Sequence, residues 1–213
     1  MGGGDKLLLD LDGLPVVMRS IQVLDRCEAI DSITIVASEG NLDRIAAILE
    51  RIETRLPVEL ILGGARRQDS IRAAVEHLAA AAPAVVIVHD GARPLVTGAL
   101  LMAAVAAARV HGAATAGVPL KDAVKQVGDD GLVRRSLERG ALVAVQTPQA
   151  FSYEVLARAH REGLAQGVVV DDDAELVEMI GLPVAVIPGD PRNIKITTPD
   201  DVIVAAAHLG NRL

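Results

Sequence analysis

Aromatic and sulfur-containing side chains are scarce in this sequence. Its 213 residues include one Phe, one Tyr, no Trp and a single cysteine, Cys27. With so few aromatic rings, we do not expect a platform on which nucleic-acid bases stack. A lone cysteine excludes a disulfide scaffold and suits a reducing compartment, so the cytoplasm is the predicted location.

Long apolar runs and an excess of positive charge are also missing. The longest apolar stretches cover residues 78–88 and 99–108. Both are shorter than the roughly 20 residues that a membrane-spanning helix needs. The 28 acidic residues outnumber the 21 basic ones and give a net charge of −7, which argues against a general nucleic-acid-binding protein. We therefore expect neither a membrane nor a nucleic acid as a partner.

Helical and strand patterns alternate along the whole chain, whose length fits one large domain. The predicted strands cover residues 32–37, 57–62, 84–88, 113–118, 142–146 and 183–187. Between them lie segments with helical periodicity, and Asn41 and Asp69 are predicted to begin two of these helices. Repeated βα units imply a parallel sheet with helices on both faces.

Residues 119–139 interrupt this alternation. Two polar-rich, strand-like segments, 120–127 and 132–137, flank the turn sequence Gly-Asp-Asp-Gly at 128–131, a pattern typical of a β-hairpin. Polar residues on both of its faces argue against burial in a core. We predict an arm that either covers a site or holds a second subunit.

Glycines and charged residues follow several predicted strands, at the edge where open α/β sheets bind ligands. Gly63, Gly64 and Ser70 lie between a strand and a helix, where glycine lets a ligand approach the backbone closely. After the next strand come Asp90, a candidate ligand for a divalent cation, and Arg93, whose planar guanidinium suits a phosphate. Taken singly, each residue is also compatible with a turn or a solvated surface charge.

Further cations stand near the ends of other segments. Arg139 lies at the base of the hairpin, and Lys195 follows the last predicted strand. A glycine run at residues 2–4 leads to Lys6, and such a run cradles phosphates when a strand precedes it. Taken alone, the run at 2–4 is more readily interpreted as a disordered start.

Taken together, these segments closely resemble one family, the 2-C-methyl-D-erythritol 4-phosphate cytidylyltransferases of the non-mevalonate isoprenoid pathway. The matching segments follow the family's order and spacing. They are residues 6–15, 63–70, 88–94, 118–125, 138–139, 146–149, 172–174 and 193–197. The resemblance implies a Rossmann-like, doubly wound, mostly parallel sheet of the nucleotide-diphospho-sugar transferase type, with the hairpin arm inserted in it.

The resemblance also implies a reaction, in which a cytidylyl group passes from CTP to a sugar-alcohol phosphate with Mg²⁺ or another divalent cation. By analogy, the catalytic cations are Lys6, Arg139 and Lys195. The residues that would bind CTP are Gly64, Ser70, Asp90 and Gly91. The residues that would bind the acceptor are Asp90, Arg93, Ala123, Arg139 and Lys195. Asp90 would also lie near the metal, and Arg139 and Lys195 would come from different subunits of a homodimer formed through the arm.

The sequence departs from the family pattern in three places. Family members begin with a strand and a glycine-rich loop that wraps the CTP phosphates, and this sequence starts at the last residue of that loop. If an interior strand is missing, we expect unpaired strand edges, a poorly stable N-terminal half and weak CTP binding. Ala123 and Asp171 stand where the family usually has Thr. The change at Ala123 removes one hydrogen bond to the acceptor, worth about 0.5–1.5 kcal/mol.

Two alternatives therefore stay open. One is a sister enzyme that transfers the cytidylyl group to ribitol 5-phosphate. The other is a truncated, inactive paralogue that serves as a dimerising or binding module. An NAD-dependent dehydrogenase is disfavoured because the sequence has no strand–Gly-x-Gly-x-x-Gly–helix unit.

Overall fold

The computed structural model describes residues 6–210, and in this range strands and helices alternate. The strands are β1 (Asp10–Leu11), β2 (Leu14–Pro15), β3 (Ile33–Ala37), β4 (Val58–Leu62), β5 (Val85–Val88), β6 (Ala113–Pro119), β7 (Val124–Val127), β8 (Val133–Leu137), β9 (Val143–Ser152) and β10 (Ala185–Pro188). The helices are α1 (Val16–Asp25), α2 (Glu39–Leu49), α3 (Arg67–His77), α4 (Gly98–His111), α5 (Tyr153–Ala165), α6 (Asp173–Met179) and α7 (Pro199–Gly210). Within residues 6–210, none of these helices is both long and apolar enough to cross a membrane.

The larger sheet has four strands in the order β10-β6-β9-β5. β10 runs parallel to β6, whereas β9 runs antiparallel to both of its neighbours. A parallel neighbour needs a long crossover, usually a helix. The chain between β6 and β9 forms instead the antiparallel hairpin of β7 and β8, and β9 returns beside β6 in the opposite direction. The predicted α/β fold is confirmed. In this sheet β5, β6 and β10 run in the same direction, and β9 runs in the opposite one.

Helices cover both faces of this sheet, as the doubly wound arrangement requires. Successive residues of β9 point to opposite faces. Ala150 packs in the cluster that contains Leu101 and Ala104 of α4. Phe151, which is completely buried, packs on the other side with Leu156 of α5. The single strand β9 thus joins two apolar cores.

β9 is longer than the predicted strand at 142–146, because the chain stays extended through Pro148. Proline lacks an N–H and is normally excluded from the middle of a sheet. Here the pairing of β6 with β9 skips two residues: Ala116 faces Gln146, and Thr115 faces Gln149. Pro148 lies in this bulge, where no ladder hydrogen bond is lost.

Two helices begin earlier than predicted. α2 begins at Glu39 after Ser38, so the expectation that Asn41 caps this helix is wrong. The Asn41 side chain lies in the first turn and donates a hydrogen bond to Ser38 Oγ at 3.1 Å. Likewise α3 begins at Arg67 and not at Asp69. Ser38 and Asn41 share a preference for helix starts, so the sequence offers two starts for α2. In α3, Asp69 lies in the first turn, where an acidic residue is also favourable.

β3 and β4 form a separate parallel pair, divided from β5 by a cavity of about 590 Å³. Ile33 and Ile35 of β3 line this cavity, as does Ile87 of β5, and α1 and α3 supply Ile21 and Val75. In the described part of the chain, β3 and β5 each have a strand partner on one edge only. These are unpaired edges of the kind that the sequence led us to expect.

The carboxyl ends of β3, β4 and β5 meet beside the first turn of α3. Gly63, directly after β4, lies close to Val36 of β3 and to Ser70 of α3. Arg67 of the same turn pairs with Asp90, which follows β5. The three strands therefore point in one direction, and the loops that follow them share one edge of the molecule.

The cavity between β3 and β5 predicts uneven hydrogen exchange. Amides of β6 and β9 lie between two neighbouring strands, whereas the amides of β3 and β5 that point into the cavity have no ladder partner. We expect these unpaired amides to exchange about tenfold faster or more, since roughly 1.4 kcal/mol of opening free energy corresponds to a factor of ten. Residue-resolved exchange by NMR measures this. Equal protection in all four strands would contradict the open edges.

Candidate functional site

Asp90, at the carboxyl end of β5, is surrounded by three cations. Its Oδ2 accepts a hydrogen bond from Lys195 Nζ at 3.0 Å and another from Arg93 Nε at 3.3 Å. Its Oδ1 lies 3.7 Å from Arg67 Nε. The Asp90 side chain is only 15% exposed, so a carboxylate with little access to water is balanced by protein charges.

The surrounding cations keep Asp90 ionised. Burial raises the pKa of the Asp90 carboxyl, but the hydrogen bond from Lys195 and the charges of Lys195, Arg67 and Arg93 outweigh this, and the pKa is lowered. Burial has the opposite effect on a cation. It lowers the pKa of the Arg93 guanidinium, although the negative charge of Asp90 acts to raise it. The cluster keeps more positive than negative charge, and this suits phosphate groups.

The turn that carries Asp90 and Arg93 is fixed by a chain of hydrogen bonds. The Asp90 N–H donates to Thr147 Oγ1 at 3.0 Å, and with the imidazole neutral the Thr147 hydroxyl donates to His89 Nδ1 at 3.1 Å. His89 Nε2 then carries the hydrogen and donates to the Arg93 carbonyl at 3.2 Å. Arg93 Nη1 also donates to the Asn193 carbonyl at 2.8 Å. The segment before Lys195 is thereby tied to the Asp90 turn.

The glycine loop after β4 is pressed against α3. Ser70 Oγ accepts a hydrogen bond from the Gly64 N–H at 3.1 Å and donates to the Arg66 carbonyl at 3.0 Å. A Cβ on Gly63 would lie 2.6 Å from Ser70 Oγ, and one on Gly64 would overlap Asp69. Only glycine fits at both positions, because a Cβ at either one would meet α3, and this allows the close approach of the loop to the helix.

A second, smaller cavity of about 190 Å³ adjoins the cluster. The cations Arg67, Arg93 and Lys195 line it together with Asp90. Its remaining lining is mostly polar and consists of Val145, Gln146, Thr147, Gln149, Asp171 and Asp172. Asp171, one of the departures from the family pattern, therefore faces the same pocket as the cations. Cations beside carboxylates and amides suit a ligand that carries both a phosphate and hydroxyl groups.

Most of the predicted site residues come together in this region. The large cavity is lined by Lys6, Ser70, Asp90, Gly91 and Lys195. Gly64 is in the adjoining loop, and Arg93 lines the smaller cavity. The glycine run at residues 2–4 lies outside the described residues.

Arg139 and Ala123 are not brought to Asp90 within one chain. Both are exposed at the base of the β7–β8 arm and line neither cavity. The Arg139 guanidinium donates a hydrogen bond to the Lys121 carbonyl. Their assignment to the site depends on a second copy of the chain and stays a prediction.

Arg67 was missed by the sequence reasoning although it lines both cavities. The sequence does place a cation here, because Arg67 lies between the glycine loop and Ser70, at the first position of a helix. Its partner Asp173, whose Oδ2 lies 2.8 Å from Arg67 Nη1, is far away in the sequence. Without that partner, Arg67 is not distinguishable from a solvated surface arginine.

Asp90 is also the residue to test for metal binding. In the described range, no group of three His, Cys, Asp or Glu side chains is placed to hold a metal ion. Mg²⁺ is commonly bound by one or two carboxylates and completed by substrate phosphates. Asp90 Oδ1 fits this pattern, because the Arg67 guanidinium lies beyond hydrogen-bonding distance at 3.7 Å and leaves the oxygen able to accept a ligand bond.

Comparison with known proteins agrees with this geometry. The sequence model of one family, described as IspD, 2-C-methyl-D-erythritol 4-phosphate cytidylyltransferase, matches residues 1–211. The chain belongs to the IspD family. It is therefore a nucleotidyltransferase that takes a cytidylyl group from CTP in the non-mevalonate pathway, and the predicted family and enzyme class are confirmed.

Individual relatives in the IspD family cover most of the chain. The 2-C-methyl-D-erythritol 4-phosphate cytidylyltransferase of Pelotomaculum thermopropionicum is 44% identical over 206 residues, which are 95% of this chain and 85% of the relative. The enzyme of the same name from Bacillus licheniformis is 40% identical over 97% of this chain and 88% of its own. The crystal structure of 4-diphosphocytidyl-2C-methyl-D-erythritolsynthase from Anaerococcus prevotii has a TM-score of 0.86 at 30% identity, covering 94% of this chain and 88% of that one.

The neutral state of His89 predicts a dependence of stability on pH. Burial lowers the pKa of the His89 imidazole from 6.5 to about 4. Between these values the unfolded state binds more protons than the folded state, so the free energy of unfolding falls as the pH decreases. Chemical denaturation across this interval should show the fall, and His89→Gln should reduce it. An unchanged slope in His89→Gln would contradict a neutral His89 in the folded protein.

Proposed function

We propose that this IspD-family chain transfers the cytidylyl group of CTP to 2-C-methyl-D-erythritol 4-phosphate at the site around Asp90. The observation that carries the proposal is the enclosure of one ionised carboxylate by Arg67, Arg93 and Lys195, at the junction of two cavities. Both substrates carry phosphates, and a site with excess positive charge at this junction supports their meeting there.

The larger cavity is the proposed CTP side. Ser70 and Gly91 line it, and Ser70 is hydrogen-bonded to Gly64 of the adjoining glycine loop. Gly64 and Ser70 would hold the cytosine ring, because backbone and hydroxyl groups at this helix start offer both donors and acceptors to a base edge. Lys6 is an exposed cation that lines the same cavity and would face the α-phosphate.

The smaller cavity is the proposed acceptor side. Arg93 and Lys195 line it and would hold the acceptor phosphate, while Asp90 would accept hydrogen bonds from the hydroxyl groups of the acceptor. Asp171 lines the cavity as well and offers a further acceptor for a hydroxyl hydrogen.

The proposed chemistry is an in-line displacement at the α-phosphorus of CTP. An oxygen of the acceptor phosphate forms the new P–O bond, and the bond to the β-phosphate oxygen breaks, so pyrophosphate leaves with its electron pair. Lys6, Lys195 and Arg93 act by positioning the phosphates and by stabilising the charge that develops. Mg²⁺ bound by Asp90 and the substrate phosphates would neutralise part of that charge.

A homodimer formed through the β7–β8 arm is part of the proposal. The arm projects Val127, Leu132 and Val133, which are all more than half exposed. A second copy that covered these side chains would remove apolar surface from water. In this proposal the same contact carries Arg139 of one copy, which is exposed at the base of the arm, to the site of the other.

The acceptor is tested by supplying each candidate in turn. Purified chain is given CTP, Mg²⁺ and either 2-C-methyl-D-erythritol 4-phosphate or ribitol 5-phosphate, and pyrophosphate release is measured. We expect release with the first acceptor, which is the one in the names of the relatives. Faster release with ribitol 5-phosphate would favour the sister activity. No pyrophosphate release with either acceptor would favour the other alternative, an inactive paralogue that serves as a dimerising or binding module.

Lys6→Ala is expected to lower kcat by about 10²–10³-fold, the effect of losing one donor that contacts developing charge in a transition state. Steady-state pyrophosphate release measures it. Arg44→Ala is the matched control, because Arg44 is an exposed cation on α2 that lines neither cavity. A loss below tenfold in Lys6→Ala would remove Lys6 from the catalytic role.

Arg139→Ala and Lys195→Ala are expected to raise the KM of the acceptor by about 10–100-fold, because each would remove a hydrogen bond to a charged group. The KM of CTP should change much less. Initial rates at varied concentrations of each substrate separate the two constants. A larger rise in the KM of CTP would show that the CTP side and the acceptor side have been assigned to the wrong cavities.

A further inference from the structure

A buried, hydrogen-bonded pair of side chains, Asp173 and His160, stands directly behind the site and has no place in the proposed chemistry. The side chains of Asp173 and His160 are 1% and 2% exposed. Asp173 Oδ1 accepts a hydrogen bond from His160 Nε2 at 2.9 Å, and the Asp173 N–H donates to Gln149 Oε1 at 3.2 Å. Asp173 is also the first residue of α6. The Asp173 carboxylate is therefore held in place by two helices and by β9.

The other oxygen of Asp173 points to the site. Asp173 Oδ2 makes no hydrogen bond within the described part of the chain. The Arg67 guanidinium, with Nη1 at 2.8 Å, is the charge that offsets it. The Nε of the same guanidinium lies 3.7 Å from Asp90 Oδ1. Arg67 thus bridges a buried carboxylate and the carboxylate of the site, and its own side chain is 31% exposed.

Stability alone does not account for this arrangement. Burying an ion pair generally gives no more stability than apolar side chains of the same volume, because desolvation of both ions opposes their attraction. Arg67 is also the first residue of α3, where the helix dipole disfavours a cation. An arginine held at such a position by a buried carboxylate has a fixed guanidinium plane, which here contacts Asp173 directly and faces Asp90 at 3.7 Å.

We infer that Asp173 and His160 are positioning residues that hold the Arg67 guanidinium against Asp90 and so fix the Asp90 carboxylate between the two substrates. The inference rests on the proposed function, in which Asp90 lies at the reaction site. Loss of the buried carboxylate leaves Arg67 free to turn towards solvent. Asp90 Oδ1 then loses its facing cation, and the carboxylate is held only through Oδ2, by Lys195 and Arg93.

The inference is tested by the variants Asp173→Asn, His160→Gln and Arg67→Ala and by the double variant Arg67→Ala/Asp173→Asn. We expect each single variant to lower kcat by about tenfold or more, because small displacements at a reacting centre have large effects on rate. The KM of CTP should change less than kcat. Arg72→Ala is the matched control, since Arg72 lies on the same helix, pairs with Glu76 and lines neither cavity.

The double variant separates positioning from a structural role. If Asp173 acts through Arg67, then Asp173→Asn has little further effect on kcat once Arg67 is alanine. Independent, multiplying effects would overturn the inference. So would wild-type kcat in Asp173→Asn, even with a lower melting temperature. Added guanidinium ion should restore part of the activity of Arg67→Ala and none of that of Asp173→Asn.

Two further measurements keep the inference testable if one variant fails. Should Asp173→Asn not fold, Arg67→Lys keeps the charge and loses the fork, and wild-type kcat in both Arg67→Lys and His160→Gln would overturn the inference. The rotation of the Arg67 guanidinium about its Nε–Cζ bond, measured by NMR, does not depend on turnover. We expect slow rotation in the wild-type chain and in Arg72→Ala, and faster rotation in His160→Gln. Absence of wild-type turnover would contradict the proposed function, whereas fast rotation in the wild-type chain would contradict the positioning.

Discussion

A carboxylate removed from water has to be balanced by nearby positive charge, and the arrangement around Asp90 follows from that constraint. Arg67 comes from the first turn of α3, Arg93 from the turn after β5, and Lys195 from the segment before α7. These three parts of the chain are distant in sequence and converge on one side chain. The loops after β4, β5 and β10 are therefore brought together at one point, which is also where the two cavities adjoin.

The loops that converge at Asp90 are also joined to one another by hydrogen bonds. The turn after β5 is bonded through His89 and Thr147 to the bulge of β9, and the Asn193 side chain donates to the Thr147 carbonyl at 2.7 Å. The bulge that accommodates Pro148 is thus the place where the central strand contacts the functional loops. An irregularity of the sheet supplies the hydrogen-bonding groups that a regular ladder would have used internally.

Much of this arrangement is visible in the sequence, and the rest depends on contacts that sequence patterns do not carry. Strand positions and the cluster at the strand ends were predictable, because apolar runs and the glycines and charges after them are local signals. The extent of β9 was not, since Pro148 normally ends a strand. The pairing of Arg67 with Asp173 was missed because it joins two helices far apart in the chain. The role proposed for Arg139 would depend on a second copy of the chain, and the structure of one chain does not test it.

The cavity between β3 and β5 also affects how the molecules behave towards one another. Open strand edges are templates on which a further strand can add, whether it belongs to the same molecule or to another. Here the open edges of β3 and β5 face the same cavity, which is lined mainly by apolar side chains. An extended segment entering this cavity would find hydrogen-bonding partners on both sides. Aggregation of this chain, as distinct from dimer formation through the β7–β8 arm, would then begin by strand addition between β3 and β5, and its rate would rise with protein concentration.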